Sequence, residues 1–273
     1  MGCLGVSPVG NVIFADVLIT EEIKDEEIQI INSHENLVRE EEVKPEESQK
    51  NEEEIKKCEI KINGKVIPFT YKYKFPDAGK YKICYTFDNL TRADFLFYNC
   101  TAHVNIDCSH FNTRQITNMK GMFNLCIAAE KIDVSRFNTE NVIDFSDMFY
   151  FCKKLKTIDV SKFDTKKATD MAVMFCDCLE LTRLNLSNFN TENVISMEFM
   201  FNECESLKTL DLSSFKTPNL QNVYLMFLGC KSLIYLNISN FTMGKMESLE
   251  NLKLFDDTTA LEKKILLLKS KIS

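Results

Sequence analysis

The sequence predicts an α/β fold built around a repeat solenoid, with a parallel β-sheet on one side and short helices on the other. An N-terminal antiparallel β cap domain and a C-terminal capping helix complete the prediction. The main observation is that one pattern recurs at a constant interval of 26 residues between positions 97 and 246. A second is that each unit combines a segment of period two with a segment of period three to four.

The repeat is defined by columns of residues in register, without insertion or deletion. A fixed interval of this size indicates stacked units that cannot bury their apolar side alone. The strand-end column is Phe111, Phe137, Phe163, Phe189, Phe215 and Phe241; the cysteine column is Cys100, Cys126, Cys152, Cys178, Cys204 and Cys230; and an aromatic residue precedes each cysteine by three positions.

The first part of each unit predicts a short strand. Leu210 and Leu212 alternate with Asp211 and Ser213, so the leucines face inward and the polar residues outward. The second part predicts one or two helical turns, because Val194, Met197, Met200 and Phe201 recur at three- and four-residue spacing, with Thr191 or Asn193 as the N-cap.

The repeated unit, Leu-x-x-Ile-Asp-Val-Ser-x-Phe-Asn-Thr-x-x-Val-x-x-Met-x-x-Met-Phe-x-x-Cys, resembles the BspA-like leucine-rich repeat of bacterial and protist surface proteins. The resemblance covers residues 97–246, just over half the chain. It implies a leucine-rich-repeat solenoid that acts as an interaction scaffold in adhesion and protein binding, with no characteristic catalytic activity. His103 and Cys108 in the first unit, and Thr242 and Met243 in the last, depart from the pattern and indicate end units.

The chain before the repeats predicts a tail over residues 1–10 and a small antiparallel β domain over residues 11–90. Alternating segments predict about five strands, and Asn63-Gly64 predicts a type I′ hairpin. Within this domain, residues 33–57 form an acidic insertion that the sequence predicts to be solvated. The repeats are predicted over residues 91–255, and residues 256–273 form an amphipathic capping helix, the alternative being a peripheral membrane or partner helix.

Charge and composition limit the function classes. Residues 1–57 contain 15 acidic and 6 basic side chains, which leaves the rest of the chain close to neutral. Nucleic acid is therefore not an expected partner, because phosphate binding needs clustered Lys and Arg. No secretory signal is recognised, and eleven cysteines fit a reducing compartment. Free, buried thiols are preferred over disulfides or zinc, and we expect no metal and no cofactor.

Membrane attachment is a separate prediction. Gly2 is a candidate for myristoylation and Cys3 for palmitoylation, although Ser7 stands one residue later than the myristoylation pattern requires. The alternative is a simple N-terminal tail. The expected location is the cytoplasm or the cytoplasmic face of a membrane, with the cell surface implied by the family resemblance alone.

The candidate binding surface is the outward side of the predicted strands. Its polar residues are either a hydrogen-bonded ladder that holds each turn, or an acidic floor for a partner that also binds Ca²⁺ weakly. The first column is Asp107, Asp133, Asp159, Asn185, Asp211 and Asn237, and the variable neighbours are Lys131, Thr157, Arg183, Thr209 and Tyr235.

These observations predict a non-enzymatic scaffold that binds a protein or peptide through the concave face of the solenoid. One alternative is an enzyme whose site lies in the N-terminal β domain or at its junction with the first repeat. The other is a membrane-anchored structural protein. The histidines show no nucleophile motif, and His110 is expected to be a surface residue. The sequence names neither the partner nor the oligomeric state.

Overall fold

The computed structural model describes residues 11–39 and 51–241. Strands dominate its regular structure, and the two helices are short. In chain order the elements are β1 (Asn11–Ile19), β2 (Glu27–Gln29), α1 (His34–Arg39), α2 (Glu52–Ile55), β3 (Glu59–Ile62), β4 (Lys65–Ile67), β5 (Lys72–Lys74), β6 (Gly79–Phe87), β7 (His103–His110), β8 (Lys131–Asp133), β9 (Thr209–Asp211) and β10 (Tyr235–Asn237).

The N-terminal strands form a six-stranded sheet in the order β4-β3-β6-β1-β7-β8, while β2 and β5 form a separate antiparallel pair. The strands predicted before the repeats are therefore present. The hairpin predicted at Asn63-Gly64 joins β3 to β4, and both residues have the positive φ (50° and 81°) that such a turn requires. Strand β1 lies between β6 and β7, so the first repeat strand, β7, belongs to the same sheet as the N-terminal strands.

The predicted fold class is wrong. The main sheet is mixed, because β1, β3, β4, β6 and β7 pair antiparallel and only β7 with β8 is parallel. Among the repeats the one other strand pair is β9 with β10, and no parallel sheet runs through the described units. The predicted rank of helices is also wrong: both described helices precede Cys58, and the repeats up to Phe241 contain turns instead. The predicted C-terminal helix at residues 256–273 lies outside the described residues, and the domain division stays a prediction.

Left-handed residues explain why the repeats are not helical. Two positions in each unit have φ between 49° and 73°, which no α-helix of L-residues contains. Turns with bonds from one N–H to the carbonyl three residues before it, such as Met122 to Met119, give the same apolar spacing as a helix. The first left-handed column is Phe95, Gly121, Asp147, Val173, Phe199 and Leu225; the second is Asn99, Leu125, Phe151, Asp177, Glu203 and Gly229.

The turn segments bond to one another instead of internally. Alternate N–H groups donate to carbonyl oxygens 25 residues later: Met119 to Asp144 at 3.0 Å, and Gly121 to Ser146 at 2.8 Å. A helix would use these N–H groups within its own segment. The side chains predicted as N-caps also bond a neighbouring unit, since Thr191 Oγ1 donates to the Lys216 carbonyl at 2.8 Å. The N-cap prediction is therefore wrong for the same reason as the helix prediction.

The core between successive units is a set of aligned apolar columns. Phe163, 2% exposed, stacks between Phe137 and Phe189 with ring centroids 6.2 and 6.4 Å away. Burying one such ring contributes roughly 1.5–3 kcal/mol. The predicted phenylalanine column is thus confirmed as core, although Phe241 at its end is only half-buried.

Two further columns connect the units through side chains. Each column cysteine from Cys126 to Cys230 donates its S–H to the carbonyl of the phenylalanine 29 residues earlier, as Cys152 does to Phe123 at 3.3 Å. Burial raises the pKa of these thiols, that of Cys230 to about 12. All six are free and buried, as predicted. A threonine column makes paired bonds to the following unit: Thr165 Oγ1 donates to the Asn190 carbonyl and accepts the Asn190 N–H, both at 2.8 Å.

Candidate partner-binding surface

The residues predicted to bind a partner lie side by side on one surface. In the pair of β7 and β8, Asp107 lies opposite Asp133; in the pair of β9 and β10, Asp211 lies opposite Asn237 and Thr209 opposite Tyr235. An isolated bridge aligns Thr157 with Arg183. We call this surface the polar face; it consists of Asp107, Asp133, Asp159, Asn185, Asp211, Asn237, Lys131, Thr157, Arg183, Thr209 and Tyr235.

Strand alternation makes the polar face accessible. The intervening residues, such as Leu210 and Leu236, are 1% and 6% exposed, so their neighbours must point away from the core. Tyr235 is 50% exposed, and Arg183 and Asp211 are exposed. Asp107, Asp133 and Asn237 are half-buried, and the other members are exposed. The polar face is therefore most open toward its C-terminal half.

The Asp and Asn column holds the turn that follows each strand. In all six units the side-chain Oδ1 accepts the N–H of the serine two residues later, at distances of 2.9–3.1 Å. This is the Asx turn, in which a side chain replaces a backbone acceptor. The bonds from Ser161 lower the pKa of Asp159, and those from Ser213 lower the pKa of Asp211. These carboxylates are thus ionised at neutral pH.

The interactions match the structural alternative for this column more directly than a cation site. Each oxygen used in a turn is committed to the backbone of its own unit. Within residues 11–39 and 51–241, no group of three or more His, Cys, Asp or Glu side chains is placed to hold a metal ion. The predicted weak binding of Ca²⁺ therefore has no built site in the described part of the chain.

A depression opens on the C-terminal half of the polar face. It has a volume of about 320 Å³ and is formed by three successive units. Four of its lining residues, Asn185, Thr209, Asp211 and Tyr235, belong to the predicted surface. Ser187 and Ser213 belong to the serine column that flanks the Asp and Asn column in the sequence, whereas sequence reasoning missed Leu184 and Ser214. The constant repeat interval could have identified them, because each neighbours a predicted residue in sequence and in register.

A second, shallower depression of about 550 Å³ lies on another side of the repeats. Ile143 and Ile195, 46% and 43% exposed, line it together with Thr169. Sequence reasoning missed this surface as well. The sequence did indicate it, because each isoleucine follows a valine predicted to be buried. Two adjacent residues in an extended segment face opposite sides, so the isoleucine must face outward.

The junction with the first repeat, where an enzyme site was the alternative, contains buried polar groups that bond its backbone. The Asn32 N–H donates to the Leu96 carbonyl at 2.8 Å, and Asn51 Nδ2 donates to the Asp94 carbonyl at 2.9 Å. These carbonyls belong to the first turn segment, which has no preceding unit to supply N–H donors. The prediction that residues 33–57 are solvated is therefore wrong for Ser33, His34, Asn51 and Glu52, which are buried; residues 40–50 are not described.

A second buried histidine, His103, is held neutral. Tyr85 OH lies 3.0 Å from His103 Nε2 and donates to the Ile30 carbonyl at 2.6 Å. Burial lowers the pKa of His103 to about 3, so the ring carries no charge at neutral pH. His110 is exposed, as predicted.

Gly2 and Cys3 lie outside the described residues, and neither described helix, of six and four residues, has the length or the hydropathy to cross a bilayer.

Comparison with known proteins gives one match. A family model described as "Mycoplasma protein of unknown function, DUF285" matches residues 84–183 and again residues 152–267. The two overlapping matches together cover more than half of the chain and include the repeats. Searches of curated proteins and of solved structures found no match. The resemblance predicted from the sequence is thus confirmed as membership of a repeat family, whereas the specific BspA-like assignment is not shown.

Proposed function

The chain belongs to the DUF285 family, and we propose that it is a non-enzymatic interaction protein that binds a protein or peptide partner through the polar face. The observation that carries this proposal is the alignment of exposed, chemically varied side chains beside an almost constant column of Asx turns. The turns fix the backbone, while Lys131, Thr157, Arg183, Thr209 and Tyr235 differ from unit to unit. A rigid frame with variable side chains suits recognition, because little conformational entropy is lost on binding.

The composition of the polar face supports a protein partner. Arg and Tyr are the residue types most enriched at energetically important positions of protein interfaces. Arg183 and Tyr235 both lie on its exposed half, two units apart. The buried polar groups at the N-terminal junction bond the backbone of the first repeat, which favours this proposal over an enzyme site there.

The BspA-like resemblance adds a cellular setting to the proposal, namely adhesion or scaffolding by a surface protein. Attachment through acylated Gly2 and Cys3 is a separate part of it. Intact mass measurement on protein from the native host tests acylation, and comparison with a Gly2→Ala variant shows whether capture of the partner depends on it. An unmodified mass removes the acylation proposal and leaves the polar face proposal unchanged.

The test of the polar face uses a double variant, Arg183→Ala with Tyr235→Ala. The partner is first captured from the host by crosslinking and then purified, so that affinity is measured by calorimetry with two pure proteins. We expect at least a tenfold loss of affinity, about 1.4 kcal/mol, with an unchanged Tm because both side chains are exposed.

The matched control replaces an arginine and a tyrosine on other surfaces, Arg114→Ala with Tyr224→Ala. Both residues are exposed, so this variant removes the same chemical groups away from the polar face. Equal affinity of the polar face variant and the unmodified protein would contradict the proposal. So would an equal loss of affinity in the control.

A further inference from the structure

Among the described residues, the depression on the polar face has one charged group in its lining. The described residues that line it are Leu184, Asn185, Ser187, Thr209, Asp211, Ser213, Ser214 and Tyr235, and of these Asp211 carries the one formal charge at neutral pH. The remaining polar groups are hydroxyls and one amide, which offer acceptor oxygens. No lysine or arginine of residues 11–39 and 51–241 lines the depression. Its chemistry is therefore that of a single negative charge surrounded by neutral acceptors.

The charge of Asp211 is not neutralised within the described part of the chain. Its Oδ1 accepts the Ser213 N–H at 2.9 Å, and no described lysine or arginine lies within 4.0 Å of its carboxylate. The hydrogen bonds from Ser213 favour the ionised form. Charge complementarity consequently points to a cation as the occupant, since a neutral ligand would leave this carboxylate unmatched.

Two apolar groups complete a site for a cation on an aliphatic stem. Tyr235 is half exposed, and its ring face can attract a cation. Leu184 offers apolar surface against which methylene groups can pack. The volume of about 320 Å³ is at the lower end for small-molecule pockets, so one side chain is a better match than a larger ligand.

We propose that the depression formed by Asp211, Tyr235 and Leu184 accepts a lysine or arginine side chain of the partner protein. This inference rests on the proposed function and specifies the partner chemistry at the same surface. The carboxylate of Asp211 pairs with the cation, the ring of Tyr235 lies against it, and the hydroxyls of Ser187 and Ser214 are available to its N–H donors. The partner therefore presents a basic residue to the C-terminal half of the polar face.

The test uses acetylated pentapeptides Gly-Gly-X-Gly-Gly with Lys, Arg, Glu or Leu at X, titrated into the full-length ¹⁵N-labelled protein. We expect saturable shifts of the Thr209 and Tyr235 amide signals with the Lys and Arg peptides only, and weaker binding at higher salt. Asp211→Asn is expected to weaken this binding about fivefold, about 1 kcal/mol. The substitution retains the turn, because Asn185 and Asn237 make the same Asx turn in their own units.

Asp159→Asn is the matched control, since it removes an exposed carboxylate of the same column two units away and leaves the depression intact. The inference is overturned if the Lys and Arg peptides do not saturate, if the Glu or Leu peptide shifts the same signals equally, or if the control loses as much affinity as Asp211→Asn. Chitohexaose serves as a neutral saccharide probe, and saturable binding of it alone would assign the depression to a glycan.

The same variants separate this inference from the proposed function. If the purified partner binds Asp211→Asn with full affinity but loses affinity for the double variant of Arg183 and Tyr235, the polar face proposal stands and the cation site fails. If all these variants bind the partner as tightly as the unmodified protein, both proposals fail.

Discussion

Replacing Thr165 with valine tests how much one side chain contributes to the cohesion of neighbouring repeats. Thr165 is 1% exposed, and its hydroxyl both donates to the Asn190 carbonyl and accepts the Asn190 N–H, each at 2.8 Å. Valine has nearly the same shape but no hydroxyl. Two half-buried backbone groups of Asn190 lose their partners, at about 1–2 kcal/mol each, so we expect unfolding free energy to fall by about 2–4 kcal/mol.

Urea unfolding followed by circular dichroism measures this loss, with two controls. Thr165→Ser keeps the hydroxyl and is expected to cost less than about 1 kcal/mol, the value of one methyl group. Thr157→Val makes the same chemical change at an exposed residue and is expected to stay within about 0.5 kcal/mol of the unmodified protein. If Thr165→Val and Thr165→Ser unfold at the same urea concentration, the paired bonds do not hold the repeats together.

Further predictions concern the core, the turns and one carboxyl group. Phe163→Ala is expected to cost about 3–5 kcal/mol and Phe241→Ala clearly less in the same urea assay, because Phe241 is half-buried and, among the described residues, stacks on the ring of Phe215 alone. Gly64 has φ at 81° and open space around the position of an added Cβ, so Gly64→Ala should cost about 1–2 kcal/mol. Gly121→Ala should cost about 1–3 kcal/mol more, because its Cβ would lie 2.4 Å from the Phe95 ring. Equal costs for the two substitutions would exclude that contact. Burial, with smaller effects of Asp144 and Asp170, raises the pKa of Asp147 from 3.8 to about 6. The unfolded chain therefore releases this proton at lower pH than the folded chain, and the free energy of unfolding falls as pH rises from about 4 to 6. Asp147→Asn should remove this pH dependence and be the more stable form above pH 6, and a urea midpoint of the unmodified protein that stays constant across that range would contradict the raised pKa.

The repeat interval and the buried columns could be predicted from the sequence because they depend on residue type alone. The phenylalanine, methionine and cysteine columns are buried as expected except at half-buried Phe241, and Leu210 and Leu212 alternate with exposed Asp211. The hairpin at Asn63-Gly64 was predictable for the same reason, since few residue pairs other than these accept two positive φ angles.

The helices were wrongly predicted because apolar spacing of three and four residues does not distinguish a helix from consecutive turns. The difference lies in the left-handed residues, and most of them are not glycine: Val173 and Phe199 carry no local signal for positive φ. They are held there by bonds to the neighbouring unit, such as the Val173 N–H to the Glu198 carbonyl at 2.7 Å. Long-range pairing therefore overrides local preference, which a single unit read in isolation does not reveal.

The depression was predictable only in part. Its aligned members follow from the interval of 26 residues, so Asn185, Asp211 and Tyr235 were found from the sequence. Its enclosure depends on how far each unit is offset from the next, which no spacing rule gives. An N-terminal cap was predicted, but the residues that bond the first unit were missed for a related reason: Asn32 and Asn51 are distant in sequence from the carbonyls of Leu96 and Asp94 that they bond.

The N–H groups of the turn segments that bond the next unit, such as those of Met119 and Gly121, point toward higher residue numbers, which gives the array a direction. Asn32 and Asn51, beside the N-terminal sheet, donate N–H groups, so they match the end of the array where the carbonyl groups receive no bond from another unit. Duplication or loss of one whole internal repeat unit would leave every remaining unit with the same backbone donors and acceptors as before. Related chains can consequently differ in copy number, and thus in the length of their recognition surface, without any change to the module that begins the array.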